Sequence, residues 1–453
     1  MTTRSHRATN ALLLLALVVV GGCTPGRSGP RVPLTVPETT TTPLPTTTTP
    51  SVRLETTTLS GVCPDPVVIQ FAGPLDFWAL PEVGAVAVDG SVVAPGRYVG
   101  ALLDPRTATP TGIRLELRTA AALPRNTGTT QSGGAAIAAV MRQDPSILLG
   151  EVGLDPAQLA GETSSPSPSI ATRPATATVG ASGNNILLLV APWERSDAAI
   201  VWDHGAEPDA EAIADLVGVV DAQPDPAFAA YLVRSRLLTA AQVVGVPSGA
   251  ATDKAKKTTP VATPNARYAH MLADPTLLDL AAADPTQPAG ATGPGTSFQL
   301  IDETGWEPYD HALGTLAVNT KDRAPCLRAL VPMLQDATAR LLSEPDRIVA
   351  NAARIATKLA DPFDVAFVRR QLAVATQLRI VGTGGNRTIG DIEEARVEQN
   401  IRAAATSRGL RGAAFPSPAK VLALARALID RSFTDTTIGL TPRPPAGTPT
   451  TAR

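Results

Sequence analysis

Histidine and aromatic residues are scarce in this 453-residue chain, which has four His and only 4 % Phe, Trp and Tyr together. Cysteine occurs three times, too rarely for a small scaffold held by disulfides, and no CxxC pair is present to hold zinc or run redox chemistry. Neither sign of charge is in excess. The 39 Lys and Arg against 41 Asp and Glu leave a formal net charge of −2, with no basic stripe to neutralise phosphates, so a nucleic-acid partner is not expected. Catalytic signatures are missing too: there is no G-x-S-x-G elbow, no H-E-x-x-H and no Walker lysine behind a glycine loop. Gly382-Thr383-Gly384-Gly385-Asn386 is glycine-rich but lacks the following Lys-Ser/Thr, and reads as a turn between helices. His6, His204, His270 and His311 are scattered; His311 beside Asp310 reads as an isolated surface pair rather than a metal ligand or a base. An enzyme is not expected, and nothing calls for a cofactor or a metal.

What is present begins with a leader. Arg4, His6 and Arg7 precede an unbroken apolar run from Ala11 to Val20, too short to cross about 30 Å of hydrocarbon as a helix. The run ends in Val20-Gly21-Gly22-Cys23, which resembles the lipobox of bacterial lipoproteins. That resemblance implies cleavage after residue 22 and a lipid on Cys23, holding the protein at the outer face of the cell membrane. Two or three acyl chains give a stable anchor where one is marginal. An ordinary signal peptide with an incidental Cys23 is the alternative. Residues 23–60 are then mostly Thr, Pro, Ser and Arg, a composition that cannot bury a core and favours extended backbone. At about 3.1 Å per residue this tether reaches on the order of 100 Å. The tail 441–453 has the same composition and is expected to be disordered.

Between these tails lie about 380 residues, more than one compact core usually holds, so two lobes are expected. Hydrophobic residues at 44 % with 18 % charged is a globular balance. Cys63 and Cys326 remain beyond the lipidated residue. In an oxidising compartment they read as a disulfide tying the start of the folded part to a late helix, or else as two separate thiols.

The folded part opens with a buried strand over Pro66–Phe71, followed by a Gly/Pro-punctuated region to about Thr111. Ile113–Arg118 alternates apolar and charged residues, the pattern of a half-exposed strand. Ala135–Met141 reads as a short helix and Ile147–Val152 as a strand, and a Ser/Pro/Thr-rich surface loop fills Glu162–Ala181. Strands follow at Ile186–Ala191 and Ala198–Trp202, and helices at Asp209–Val217 and Phe228–Leu238. After a polar stretch over Pro247–Pro264, Ser297–Ile301 and Leu313–Val318 return to strand character. From Ala324 the chain is helical, with Leu327, Leu330, Val331, Leu334, Leu341 and Leu342 at helical spacing. Further helices fit Pro345–Leu359, Val365–Leu378, Ile392–Arg408 and Pro418–Asp430. Asp391 and Glu394 form a capping-box-like start to the third of these, and Gly409 suits its end. The order describes an α/β protein with a helical C-terminal part.

Several strings in this order carry a family resemblance: ILLGEVGLDPAQLAG, VAPWERSDAAIVWD, FQLIDETGWEPYDHALGTLAVNTKD, PCLRALVPMLQ, LRIVGTGGNRTIGDIEEARV and ALIDRSFTDTTIGL. The chain resembles the solute-binding lipoproteins of ABC importers, in the branch associated with nitrate, sulfonate, taurine and thiamine-precursor uptake. The resemblance runs from about Cys63 to Leu440. It implies a two-lobed periplasmic-binding-protein-like (type II) α/β fold with two crossover segments, near Leu187–Trp193 and Phe298–Tyr309. Lobe 1 would be 61–190 with 305–440 and lobe 2 would be 191–304. The implied function is capture of a small polar or anionic solute in an interlobe cleft by a monomer that docks on ABC permease subunits after hinge closure. The chain departs from the family's pattern in two places. Phe77-Trp78-Ala79-Leu80-Pro81-Glu82-Val83-Gly84 stands for an aromatic-Pro-acid segment but is shifted and lacks the usual His. Pro264-Asn265-Ala266-Arg267-Tyr268 stands where Ala-Glu-Pro-Tyr is usual. These departures leave open a different ligand, or a surface scaffold with a degenerate cleft.

A solute cleft needs aromatic faces and a few orienting polar groups near the hinge. Trp78 and Glu82 follow the first strand, although Trp78 also reads as a loop residue packed on its own lobe. Glu151 ends a strand, where open α/β sheets face their crevice, or it is simply a solvated terminus. Arg195 and Ser196 sit at the first crossover; Arg195 can clamp an anion bidentately or pair with Glu194 or Asp197. Trp306 and Tyr309 are the aromatic candidates on the return crossover, and Tyr268 is a further one.

Overall fold

Val67–Gln70 is apolar except for its last residue and is buried throughout, so it takes the centre of a sheet as strand β1 in the computed structural model of the chain. Gln70 is tolerated there because its amide donates to the carbonyls of Phe71, Arg118 and Thr119 at 3.0–3.1 Å. The structure describes residues 59–123, 133–154, 159, 184–193, 195–203, 205–207, 209–245, 264–283, 295–380, 388–407 and 415–439, all within one compact unit, Thr57–Arg453. The leader with Cys23, the tether to residue 58, the Ser/Pro-rich insertion, Glu194, His204, the polar stretch up to residue 263, Gly382–Asn386, Gly409 and the tail 441–453 lie outside the described residues.

The first sheet has seven strands in the order β2 (Ser91–Ala94), β3 (Arg97–Leu103), β4 (Pro110–Arg118), β1, β5 (Ile147–Val152), β12 (Ala312–Leu316) and β6 (Ile186–Val190). β1 runs parallel to both neighbours, with Ile69 opposite Leu117 and Leu149, and β12 runs antiparallel between β5 and β6. Two expectations are corrected here. The Gly/Pro-punctuated region holds the β2–β3 hairpin, whose glycines are required by close approach; a Cβ on Gly100 would lie 2.6 Å from the Ala87 carbonyl oxygen. In β4, Glu116 is not on an exposed face but is 3 % exposed, since Arg97 and Arg118 pair with it at 2.5 and 2.7 Å.

The second sheet comprises β7 (Ala198–Asp203), β8 (Val220–Asp221), β9 (Val243–Val244), β10 (Ala266–His270) and β11 (Thr296–Leu300), in the order β11-β7-β10-β8-β9. β10 was not legible as a strand, and the helix expected over 209–217 is only a 3-10 turn at Ile213–Asp215. Its backbone donors are taken elsewhere: Gln299 Oε1 accepts from Ile213 N–H at 2.8 Å, and the Glu207 carboxylate accepts from Val217 and Gly218 at 3.0 and 2.5 Å.

The helices are α1 (Leu80–Gly84), α2 (Gly133–Gln143), α3 (Pro226–Arg234), α4 (Pro275–Ala283), α5 (Asn319–Asp322), α6 (Ala324–Ser343), α7 (Pro345–Leu359), α8 (Val365–Gln377), α9 (Glu394–Ser407) and α10 (Pro418–Leu428). The late ones lie where apolar spacing put them. Helices α1, α6, α7 and α8 cover one face of the first sheet in a core that continues into the second lobe through Met271, Leu277 and Leu278. Helices α2, α9 and α10 cover the opposite face, and the second sheet keeps its own core around Trp202, Phe228 and Leu232. Cys63 and Cys326 are bridged, with their Cα atoms 4.7 Å apart, joining the segment before β1 to the first turn of α6.

The chain thus forms two α/β lobes, the fold class the sequence led us to expect. It leaves the first sheet after β6, crosses through residues 191–197, and returns through 301–311 to β12. Arg195 on the first crossover pairs with Asp302 on the second at 3.1 Å.

Candidate functional site

Parallel strands end with their backbone pointing toward one rim of a sheet, and the loops that follow them become the walls of any crevice there. The segment after β1 supplies Asp76, Phe77 and Trp78, and the segment after β8 supplies Asp225. Tyr268 and His270 come from β10, and Asp197, Asp310 and His311 from the two crossovers. Phe363, Asp364, Phe367 and Gln371, at the start of α8 and just before it, close the top. Together they enclose a cleft of about 720 Å³ between the lobes.

Each acidic group has a local reason for its position. Asp76 caps a 3-10 turn, accepting from Trp78 N–H at 3.0 Å. Asp225 caps α3, accepting from Ala227 and Phe228 at 3.0 Å, and Asp364 caps α8 through Ala366 and Phe367 at 2.9 and 3.0 Å. Asp197, 1 % exposed, accepts from Leu272 N–H at 3.0 Å and lies 2.7 Å from His270 Nδ1. That bond to Asp197 holds the imidazole of His270 above its ordinary range. Asp310 hydrogen-bonds with the Ser196 hydroxyl, and burial, reinforced by the Asp197 charge, pushes its carboxyl up. Burial also raises Asp225, and it lifts Asp76 to about 6, with the Glu151 charge adding to the effect. The Tyr268 phenol, half-buried and facing Asp225, Asp310 and Asp197, is raised as well by desolvation and so stays protonated.

Behind Trp78 lies a smaller cavity of about 20 Å³, room for one water, walled by Trp78, Glu82, Glu151, Trp193 and His311. Glu82 is 1 % exposed and its Oε2 has no hydrogen-bond partner among the described residues. Burial raises its carboxyl to about 8, so it is held neutral at pH 7. Glu151 Oε2 accepts from Ala72 N–H at 2.9 Å, and its Oε1 lies 3.5 Å from His311 Nδ1. Trp193 fixes the dividing wall by donating from Nε1 to the Trp78 carbonyl at 3.0 Å.

The residues singled out from sequence therefore divide. Trp78 and Tyr268 line the cleft, Glu82 and Glu151 the small cavity, and Ser196 supports Asp310 from a buried position. Arg195 pairs with Asp302 and is not among the described residues that line the cleft; the expected pairing with Glu194 lies outside the described residues. Trp306 packs into the second lobe with Tyr231, at 5.0 Å between ring centroids. Tyr309 anchors the return crossover to the helical part: its ring lies 3.8 Å from the Arg396 guanidinium, and its hydroxyl accepts from Glu393 N–H at 3.0 Å. Asp310 and His311, read as an isolated surface pair, face the cleft instead. The carboxylates Asp76, Asp197, Asp225 and Asp364 were missed, as was His270. No group of three or more metal-ligating side chains gathers among the described residues. No helix among them is long and apolar enough to cross a membrane.

No family model matches the chain, and no curated protein matches it. Among solved structures, it is similar to the periplasmic aliphatic sulphonate binding protein of Escherichia coli, at 12 % identity over 76 % of this chain and 88 % of that one, with a TM-score of 0.41. It is similar to the alkanesulfonate-binding protein of Xanthomonas axonopodis bound to MOPS, at 14 % identity over 82 % and 99 % of the two chains, TM-score 0.39. It is similar, too, to a Candida albicans gene product described as having the generic periplasmic binding protein fold, at 7 % identity over 82 % and 98 %, TM-score 0.36.

Proposed function

We propose that this chain is an extracytoplasmic solute-binding lipoprotein of an ABC importer, which captures a small solute between its lobes and presents it to a permease. The observation that carries the reading is the cleft itself: about 720 Å³, walled by both lobes and by both crossovers. Ligand sites of about 300–1,000 Å³ at such an interface, lined by aromatic faces and a few convergent polar groups, are built for a small molecule. A ligand touching Trp78 on one side and Tyr268 on the other bridges the lobes, so binding favours the closed arrangement by whatever contacts it makes with both. Covalent chemistry is not part of the mechanism. The lipobox-like Val20–Cys23 supplies the membrane attachment in this reading, and the protein acts as a monomer.

The test is thermal melting of the purified chain against a broad panel of small solutes. A ligand at a hundredfold excess over Kd stabilises by about 2.7 kcal/mol, a shift of a few degrees. A shift that disappears in Tyr268→Ala upholds the reading. Silence across amines, alcohols, sugars, carboxylates and sulfonates moves the protein to the scaffold class.

A further inference from the structure

The solute-binding reading leaves the ligand's charge open, and the chemistry of the walls speaks to it. Five carboxylates line the cleft, Asp76, Asp197, Asp225, Asp310 and Asp364, and no Lys or Arg among the described residues joins them. His270 and His311 do not balance five acids even when both are protonated. Most of the hydrogen bonds these carboxylates accept come from backbone N–H groups and a hydroxyl, which satisfy lone pairs but bring no counter-charge. A second, independent observation comes from the adjoining cavity. The Glu82 Oε2, nine-tenths buried and more, has no partner there and faces a space whose wall, Trp78 and His311, is also the wall of the cleft. The aromatic faces of Trp78, Tyr268, Phe363 and Phe367 stand among these acids. A π face beside carboxylates attracts cations and repels anions.

We propose that the cleft selects a solute bearing a protonated amine or another organic cation on an apolar body, with Asp76 and Asp310 facing the charge and Trp78 and Tyr268 flanking it. This rests on the cleft being a solute site, and it departs from the anionic solute that the family resemblance implies.

A cation favours the ionised form of a raised carboxyl, so affinity falls as pH drops through about 6, where Asp76 takes up its proton. The groups around Asp76 are Glu151 and His311, with Asp361 accepting from the neighbouring Leu75 N–H. Those around Asp310 are Asp197, His270, His311 and Ser196. The proton that the bond to Asp197 favours on the His270 imidazole adds positive charge and acts in the same direction.

The test is calorimetric titration of the purified chain at pH 7.5 and pH 5 with matched probes. The cations are phenethylamine, choline and putrescine, the uncharged member is 2-phenylethanol, and the anions are phenylacetate and ethanesulfonate. Binding by at least one cation and by neither the alcohol nor the anions is expected, about tenfold weaker at pH 5. Asp310→Asn and Asp76→Asn should each weaken it about tenfold, with the melting temperature of each unliganded variant reporting its folding. Anions or the alcohol binding in place of cations overturns the inference and leaves the solute-binding reading standing. Cation binding unchanged in both folded variants also overturns it. No binding by any probe removes the inference and the reading beneath it.

Discussion

Two buried acidic regions of this protein differ in what surrounds them. Glu116 in the first sheet is 3 % exposed and is met by two guanidiniums at 2.5 and 2.7 Å. Burial alone would raise its carboxyl, but Arg97 and Arg118 outweigh burial and hold it below the ordinary range. Glu82, Asp76 and Asp310 have no guanidinium partner among the described residues, and burial leaves all three raised. Removing a carboxylate from water costs several kcal/mol wherever it happens. In β4 the fold supplies the compensation. Around the cleft no such guanidinium stands among the described residues, as the proposed solute site would require of walls that await a ligand.

Mutations can break this contrast. The largest effect is expected from Glu116→Gln, which leaves two guanidiniums without their carboxylate and should cost about 3 kcal/mol at pH 7 by chemical denaturation. Because the folded carboxyl is lowered, that loss should shrink as pH falls and the carboxylate is protonated in both states. Glu82→Gln should act in the opposite direction. The folded protein keeps a proton on Glu82 up to about pH 8 that the unfolded chain releases near the ordinary glutamate value of about 4.5, so the wild type loses stability as pH rises between these values. The amide removes that slope, giving a gain of about 4 kcal/mol at pH 8 and almost none near pH 4.5. A destabilised Glu82→Gln variant at pH 8 would mean that Glu82 has a hidden ionic partner, and the contrast would collapse.

Smaller effects sharpen it further. Asp310→Asn should leave the unliganded protein at least as stable at pH 8 as the wild type while weakening ligand binding, because the raised carboxyl opposes folding once ionised. Stability and binding moving together would make Asp310 a structural residue. Arg195→Ala, at a side chain 42 % exposed, should cost only about 1 kcal/mol in melting experiments. Its effect belongs to the crossover pair with Asp302 rather than to ligand charge, so amine affinity should change little.

The sequence was most readable where burial is complete. β1, β5, β6 and β7 are apolar runs, and the helices from Ala324 onward carry a plain helical stripe. β3 was hidden by the glycines it needs for close packing, and β10 by Arg267 and His270, which point to opposite faces and so break the period-2 alternation of a short strand. The 209–217 segment reads as a helix because the competing acceptors Glu207 and Gln299 belong to other parts of the chain. The site was less legible for a related reason. An aspartate after a strand looks the same in sequence whether it meets water or a cleft. Asp76 and Asp364 line one cleft only because β1 ends and α8 begins at one rim, and Asp197 meets Asp310 only because the two crossovers run side by side. Trp306 and Tyr309 were placed correctly along the chain, but the turn of the crossover directs one into the second lobe and the other onto α9.

The bridge between Cys63 and Cys326 also sets a path for mechanical load. Everything upstream of Cys63 pulls on a point covalently joined to the first turn of α6, a 20-residue helix whose inner face is buried. Tension along that leading segment therefore passes into α6 before it can reach β1, the strand that holds β4 and β5 in register. A tug that would otherwise peel the central strand out of its sheet ends at a sulfur–sulfur bond, and the rim that carries Asp76 and Trp78 stays unloaded.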